Sequence, residues 1–293
     1  MPLYAIGDVR GDADRLVRIL VAHDLIEISE TRTFEWKKPD VAVLFMGNLL
    51  DARSRVSAFG DMAFEGSRSD MWILEFLREA SERAAEKGAR VFALLGAREL
   101  ANVHGDFSET STYHLGDRDR RRAYFGPEGS GRRILRDLFV TSFTHNGVLY
   151  THAGLPLDPT PFQKIAMNKR VADTLLREDA RKEMEGLVAH EQYASSVAPD
   201  RAAQEKLNTA LRRRQVRAMV IGHVFAEPGS GERGVRVGWD GRVVYTNVAL
   251  SRAMTISSTR ASSSVAYDPG DGRLRALYAD GSSERLGVPD TTA

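Results

Sequence analysis

At 293 residues, with 42% apolar and 28% charged side chains and a formal net charge of +1, the chain is long enough to bury a sizeable core and carries no charge excess pointing to nucleic acid or an anionic membrane. It contains no cysteine, which excludes disulfides, thiolate catalysis and cysteine-based zinc sites. No run of about 18 apolar residues occurs and no basic-then-apolar leader precedes the first apolar run, so the expectation is a soluble, cytoplasmic (intracellular) protein with no membrane or nucleic-acid partner.

The first third alternates strand and helix patterns. Leu3–Ile6, Val41–Phe45 and Val91–Leu95 are short continuous apolar runs, as expected of strands covered on both faces. Between them, Asp12 is placed to cap a helix burying Leu16, Ile19 and Leu20. Ser69 is placed to cap another, with Ile73, Phe76, Leu77, Ala80 and Ala84 on one face at helical spacing. The order βαβαβ predicts a mostly parallel sheet.

A polar, Gly- and Arg-rich segment follows from about Asp106 to Gly131 and includes the charge run Asp117–Arg122, read as a solvated face. Phe139–Thr144 and Val148–Thr151 form a candidate hairpin around Asn146-Gly147. A long helical stretch is expected from about Phe162 to His190, and another helix after Pro199-Asp200. Ala218–Ile221 reads as a further strand. Val235–Trp239 and Arg242–Thr246 flank the turn Asp240-Gly241, and Val265–Asp268 pairs with Arg273–Tyr278. With no repeat or linker, residues 1–293 are read as one domain, a βαβαβ half over about 1–105 and a second half over about 135–280 ending in hairpins.

Each apolar strand ends in a small motif. In chain order these are GDVRG (Gly7–Gly11), GNLLDAR (Gly47–Arg53), GARE (Gly96–Glu99), HAGL (His152–Leu155) and GH (Gly222-His223). Function in open α/β sheets sits at the carboxyl ends of strands. The order and spacing resemble the PPP-type serine/threonine phosphatases among the calcineurin-like metallophosphoesterases. Trp36, and Phe125 with Gly129-Ser130-Gly131, resemble the bacterial-type (Shewanella-like) branch. The resemblance implies the calcineurin-like α/β fold, two mixed β-sheets sandwiched between helices (four-layer αββα).

The resemblance also implies a two-metal site, with ions roughly 3.5–4 Å apart activating a water for attack on phosphate. It places the first metal on Asp8, on the position now Arg10 and on Asn48, and the second on Asn48, Ala97, His152 and His223. Asp8, Asn48, His152 and His223 are therefore the residual metal candidates. Arg10 has no lone pair to donate, Asn48 is a neutral and poor bridge, and Ala97 offers nothing. A guanidinium about 5 Å from a divalent ion is repelled by roughly 6–7 kcal/mol at an effective dielectric of ~20.

Arg98 stands at the position of the family's catalytic histidine, and a guanidinium does not titrate near neutrality. The family's phosphate-gripping arginine falls on Ala52, with Arg53 one residue out of register. The family's late DxxxS-like segment reads Asn247-Val248-Ala249-Leu250-Ser251, an amide in place of the acid. No cofactor is expected, or at most one divalent ion (Mn, Fe or Zn) at reduced affinity, and no catalytic residue.

The expectation is a catalytically inactive phosphatase-like protein, a pseudophosphatase serving as a binding, scaffold or assembly module with a protein partner or with itself. One alternative is a phosphate or phosphopeptide receptor using Arg10, Arg53 and Arg98. Another is a weak metal-dependent phosphoprotein phosphatase. Two ion pairs, Asp8–Arg10 and Asp51–Arg98, are expected to close the remnant site, with Glu99 beside it.

Overall fold

The computed structural model describes residues 1–30, 33–51, 70–111, 115, 118–167, 169–193, 199–224, 235–246, 265–278 and 281–290. Strand β1 (Leu3–Ile6) leads into α1 (Ala13–Ala22), whose first turn is capped by the Asp12 carboxylate accepting from the Arg15 amide at 3.1 Å. A two-stranded ribbon, β2 (Ile26–Ile28) and β3 (Phe34–Trp36), comes next, followed by β4 (Ala42–Phe45). Helix α2 (Trp72–Ala85) buries Ile73, Phe76, Leu77, Ala80 and Ala84, the stripe its sequence spacing predicts. Ser69 lies outside the described residues.

Strand β5 (Arg90–Leu94) and helix α3 (Ala97–Val103) complete the alternating half. The arginine-rich segment holds α4 (Arg118–Phe125), then α5 (Ser130–Leu138) leads into β6 (Phe139–Val140). Strands β7 (Ser142–His145) and β8 (Val148–Thr151) form the hairpin, while Phe139–Val140, expected in its first arm, pair with β5 in the other sheet.

The expected long helix is broken into α6 (Pro161–Ala166), two 3₁₀ turns (Asp173–Leu176 and Glu178–Ala180) and α7 (Arg181–Val188). The break has a local cause. The Thr141 and Ser142 hydroxyls donate to the Ala166 and Met167 carbonyls, and the Val171 amide donates to Phe139, so residues after α6 pair with a strand instead of continuing the helix. Helix α8 (Arg201–Arg213), capped by Asp200, precedes β9 (Ala218–Ile221), β10 (Arg236–Gly238), β11 (Val243–Tyr245), β12 (Val265–Asp268), β13 (Arg275–Leu277) and β14 (Ser283–Arg285).

The fold is mixed α/β. One sheet runs β14-β13-β12-β1-β4-β5-β6, with β1, β4, β5 and β6 parallel; the other runs β10-β11-β9-β8-β7, with β8, β9 and β11 parallel. The inner faces share one apolar cluster, Leu3, Ala5, Leu44 and Leu94 from the first sheet against Val148, Tyr150, Val220 and Val244 from the second. The opposite residues of the same strands, such as Ile6, Val43, Phe45, Leu149, Met219 and Ile221, pack with the helices. Strands buried on both faces read as unbroken apolar runs, which is why they stand out in the sequence. No helix among the described residues is long and apolar enough to cross a membrane.

Candidate functional site at the strand ends

The carboxyl ends of β1, β4, β5, β8 and β9 bring Asp8, Arg10, Asn48, Arg98, His152 and His223 into one cluster where the two sheets meet. The turn after β1 is zipped to the turn after β4 by the Arg10 amide donating to Asn48 (2.9 Å) and the Gly11 amide to Leu49 (2.7 Å). Arg10, Asn48 and Asp51 all have left-handed φ values, 51°, 52° and 65°. Such backbone is costly for a side-chain-bearing residue and collects at functional sites. Crowding requires glycine at these strand ends. A Cβ on Gly7 would lie 2.0 Å from the Thr246 carbonyl oxygen, and one on Gly47 (φ +91°) would lie 2.6 Å from the His152 ring.

Asn48 ties the cluster together. Its Nδ2 donates to Asp8 Oδ2 at 2.8 Å and its Oδ1 accepts the Arg98 amide at 3.0 Å. One neutral amide thus links β1 to the start of α3, using its donor and its acceptor on opposite sides. Asp8 is fully buried, with Arg10 Nε 3.8 Å from Oδ2. Burial pushes its carboxyl up to about 7, against the pull of Arg10 and the Asn48 amide.

His152 is 1% exposed, and its Nδ1 donates to the Met46 carbonyl, which spans from one sheet to the other. Nδ1 therefore carries the proton and Nε2 presents a lone pair. Burial, then the charge of His223, hold this ring well below the ordinary histidine range. The His223 ring sits 5.1 Å away, lowered to about 4 by burial and by Arg10.

The first expected ion pair forms; the second does not. Asp51 is held by Arg121 (2.9 Å), by the Asn102 amide and by the Thr110 hydroxyl, while Arg121 also grips Asp70 at 2.6 Å. Arg98 instead stands 3.6 Å from Glu109, at the rim. The run read as a solvated face is thereby corrected: Arg118, Asp119, Arg120 and Arg122 are exposed, but Arg121 is wholly buried over Phe107 and Phe125. Its position four residues before the buried Phe125 was the available signal, since that spacing puts both on one helix face. Glu99 accepts backbone amides from Asn48, Leu49 and Gly96, stapling the turn after β4 to α3. Ala97 opens α3, half-buried and without a polar group to offer. Arg53, Ala52 and Asn247–Ser251 lie outside the described residues.

A two-metal centre does not fit these residues. Asn48 aims an amide donor at Asp8 and spends its oxygen on Arg98, and a guanidinium occupies the flank of Asp8. Among the described residues no group of three or more His, Asp or Glu side chains is gathered to hold an ion.

No known protein-family profile matches the chain, and no curated protein does. Solved structures do. A cold-active protein tyrosine phosphatase superposes with a TM-score of 0.71 at 18% identity, covering 100% of this chain and 80% of the other. The cold-active protein-tyrosine phosphatase of a psychrophilic Shewanella species, and a point mutant of a cold-active protein tyrosine phosphatase, each superpose at 0.70 and 19% identity, covering 97% of this chain and 80% of theirs.

The family expectation is corrected by these neighbours. They are described as protein tyrosine phosphatases, so the PPP-type, calcineurin-like serine/threonine phosphatase assignment is replaced. The physical reason is visible at Gly7 and Gly47: short Gly-containing motifs report how tightly strand ends pack, which constrains backbone and not substrate class. The chain has a phosphatase-like fold.

Proposed function

We propose that this chain binds through its strand-end site without turning a phosphoester over, acting as a binding, scaffold or assembly module with a protein partner or a second copy of itself. The observation that carries this reading is the Asn48 amide joined to both Asp8 and the Arg98 backbone. It occupies the centre of the cluster with a neutral amide, its nitrogen turned to Asp8 and its oxygen to the Arg98 amide.

Phosphoester hydrolysis needs an activated nucleophile and a proton for the leaving group. The chain has no cysteine to supply a thiolate. His152 has its N–H committed to Met46, and burial keeps both His152 and His223 neutral at neutral pH. Arg98 and Arg10 cannot relay protons.

The test is an assay of the full chain on an aryl phosphate and on phosphotyrosine and phosphoserine peptides, with and without Mn²⁺. The expected result is no release of phosphate above a heat-denatured control. Turnover that scales with protein and disappears in Asp8→Asn would overturn the reading.

A further inference from the structure

Asp8 Oδ1, His152 Nε2 and Arg98 Nε, all buried in the cluster, have no hydrogen-bond partner among the described residues. Orphaned polar atoms in a buried site are costly, and a native structure tolerates several together where a ligand completes them. Two are acceptors and one is a donor. Beside them stands the Arg10 guanidinium, 3.8 Å from Asp8. Both arginines act on Asp8 and on His223, so one field covers the cluster.

We infer that the strand-end site takes a hydroxyl-bearing oxyanion, hydrogen phosphate or a phosphomonoester in its singly protonated form, without a metal ion. This rests on the reading above that the site binds without turnover. Arg98 and Arg10 supply charge and donors, in the planar geometry that suits phosphate oxygens. His152 Nε2 accepts, its N–H being committed to Met46, and Asp8 Oδ1 accepts when ionised; only an anion that still carries a P–O–H proton has something to give them. A fully deprotonated oxyanion such as sulfate would face one lone pair on His152 and a carboxylate oxygen on Asp8 with nothing to donate, and buried acceptors left unmet reject a ligand strongly.

Arg98 is the accessible end of the site, its side chain 17% exposed, and its pairing with the more exposed Glu109 at 3.6 Å is loose enough to be exchanged for an anion. His223, half-buried, holds its ring 5.1 Å from that of His152. The ligand is thus read by two arginines on one side and two acceptors on the other, which separates a phosphate-class group from a generic counterion.

The experiment is calorimetric titration of the full chain, stripped with a chelator, with inorganic phosphate and separately with sulfate. Phosphotyrosine and phosphoserine peptides form two further arms. The inference expects one phosphate per chain, binding unchanged by the chelator, and sulfate weaker by roughly tenfold or more. Arg98→Gln, whose melting curve reports that it folds, is expected to weaken phosphate by roughly tenfold.

Competition by a phosphopeptide identifies a phosphorylated protein as the source, and binding of the free ion alone identifies phosphate itself; both uphold the shared chemistry. Equal binding of sulfate and phosphate, no heat from phosphate at millimolar concentration, loss of binding on chelation, or an unweakened Arg98→Gln would each overturn it. No binding together with no turnover removes this inference and leaves the non-hydrolytic reading intact. Turnover of a bound ester does the reverse.

Discussion

Two buried charged clusters lie within a few residues of one another in sequence, and they are built on opposite principles. Around Arg121 every polar side-chain atom is met: Nε by Asn102, Nη1 by Asp70, Nη2 by Asp51, with Thr110 and Asn102 closing the Asp51 carboxylate and the Asp51 amide closing Asp70. At the strand ends the same residue types leave an acceptor on Asp8, an acceptor on His152 and a donor on Arg98 unmet. A saturated network fixes a backbone; an unsaturated one, held rigid by its surroundings, is prepared for something else. Burial alone does not separate structure from function here, because both clusters are buried. Completeness of pairing does.

The comparison is broken most directly at Arg121. Replacing it by Met strands two buried carboxylates, Asp51 and Asp70, and the expected loss is about 3–5 kcal/mol in urea or guanidinium unfolding. A loss below about 1 kcal/mol would mean that the saturated cluster contributes no more than a surface pair.

The second test is pH. The Asp8 carboxyl is raised from 3.8 to about 7, so the folded state holds its proton more tightly than the unfolded chain does. Its stabilising contribution is complete below about pH 4 and is lost as pH rises to about 7, a change of about 4 kcal/mol. His223, lowered to about 4, has the opposite sign: its contribution is present above the ordinary histidine range and is lost as pH falls toward 4. The readout is therefore a difference. Asp8→Asn should gain stability relative to the parent steadily from about pH 4 to 7, measured by denaturant titration at each pH. A flat difference would show that Asp8 titrates normally.

What the sequence made legible was the part of the fold that depends on one-dimensional pattern. Leu3–Ile6 and Ala218–Ile221 read as strands because both of their faces are covered, and Asp12 read as a cap because its spacing to the first helical turn is local. The convergence of Asp8, Asn48, Arg98, His152 and His223 was legible because parallel strands deliver their carboxyl ends to one edge. Partner choice was not. Asp51 was expected on Arg98, yet Arg121 reaches it from a helix 70 residues away in sequence, and no local pattern encodes which of two arginines arrives. The broken helix after Pro161 failed for a related reason: the Thr141 and Ser142 hydroxyls that terminate it come from a neighbouring strand. The family was misread from strand-end motifs whose glycines answer to packing.

Asn48→Asp sharpens the comparison from inside the unsaturated cluster. It sets a second carboxylate against Asp8 in place of a 2.8 Å hydrogen bond, and removes the donor aimed there from the turn after β4. The expected cost is about 2–3 kcal/mol at mildly alkaline pH, shrinking in acid as the pair comes to share a proton. Unfolding midpoints at two pH values check both the size and the sign.

The smallest stability effect belongs to Arg98, and it is the most discriminating. Among the described residues its ion pair is with Glu109, at 3.6 Å, with side chains 17% and 37% exposed, so Arg98→Gln should change unfolding by less than about 1 kcal/mol. Its backbone amide, which accepts no change from the substitution, still donates to Asn48 and keeps α3 docked. A residue of the saturated kind would show the reverse, a large loss of stability and no effect on a ligand. Arg98→Gln unfolding like the parent while losing phosphate would place Arg98 with the orphaned atoms of Asp8 and His152; unfolding several kcal/mol earlier would place it with Arg121, and the contrast between the two clusters would fail at that residue.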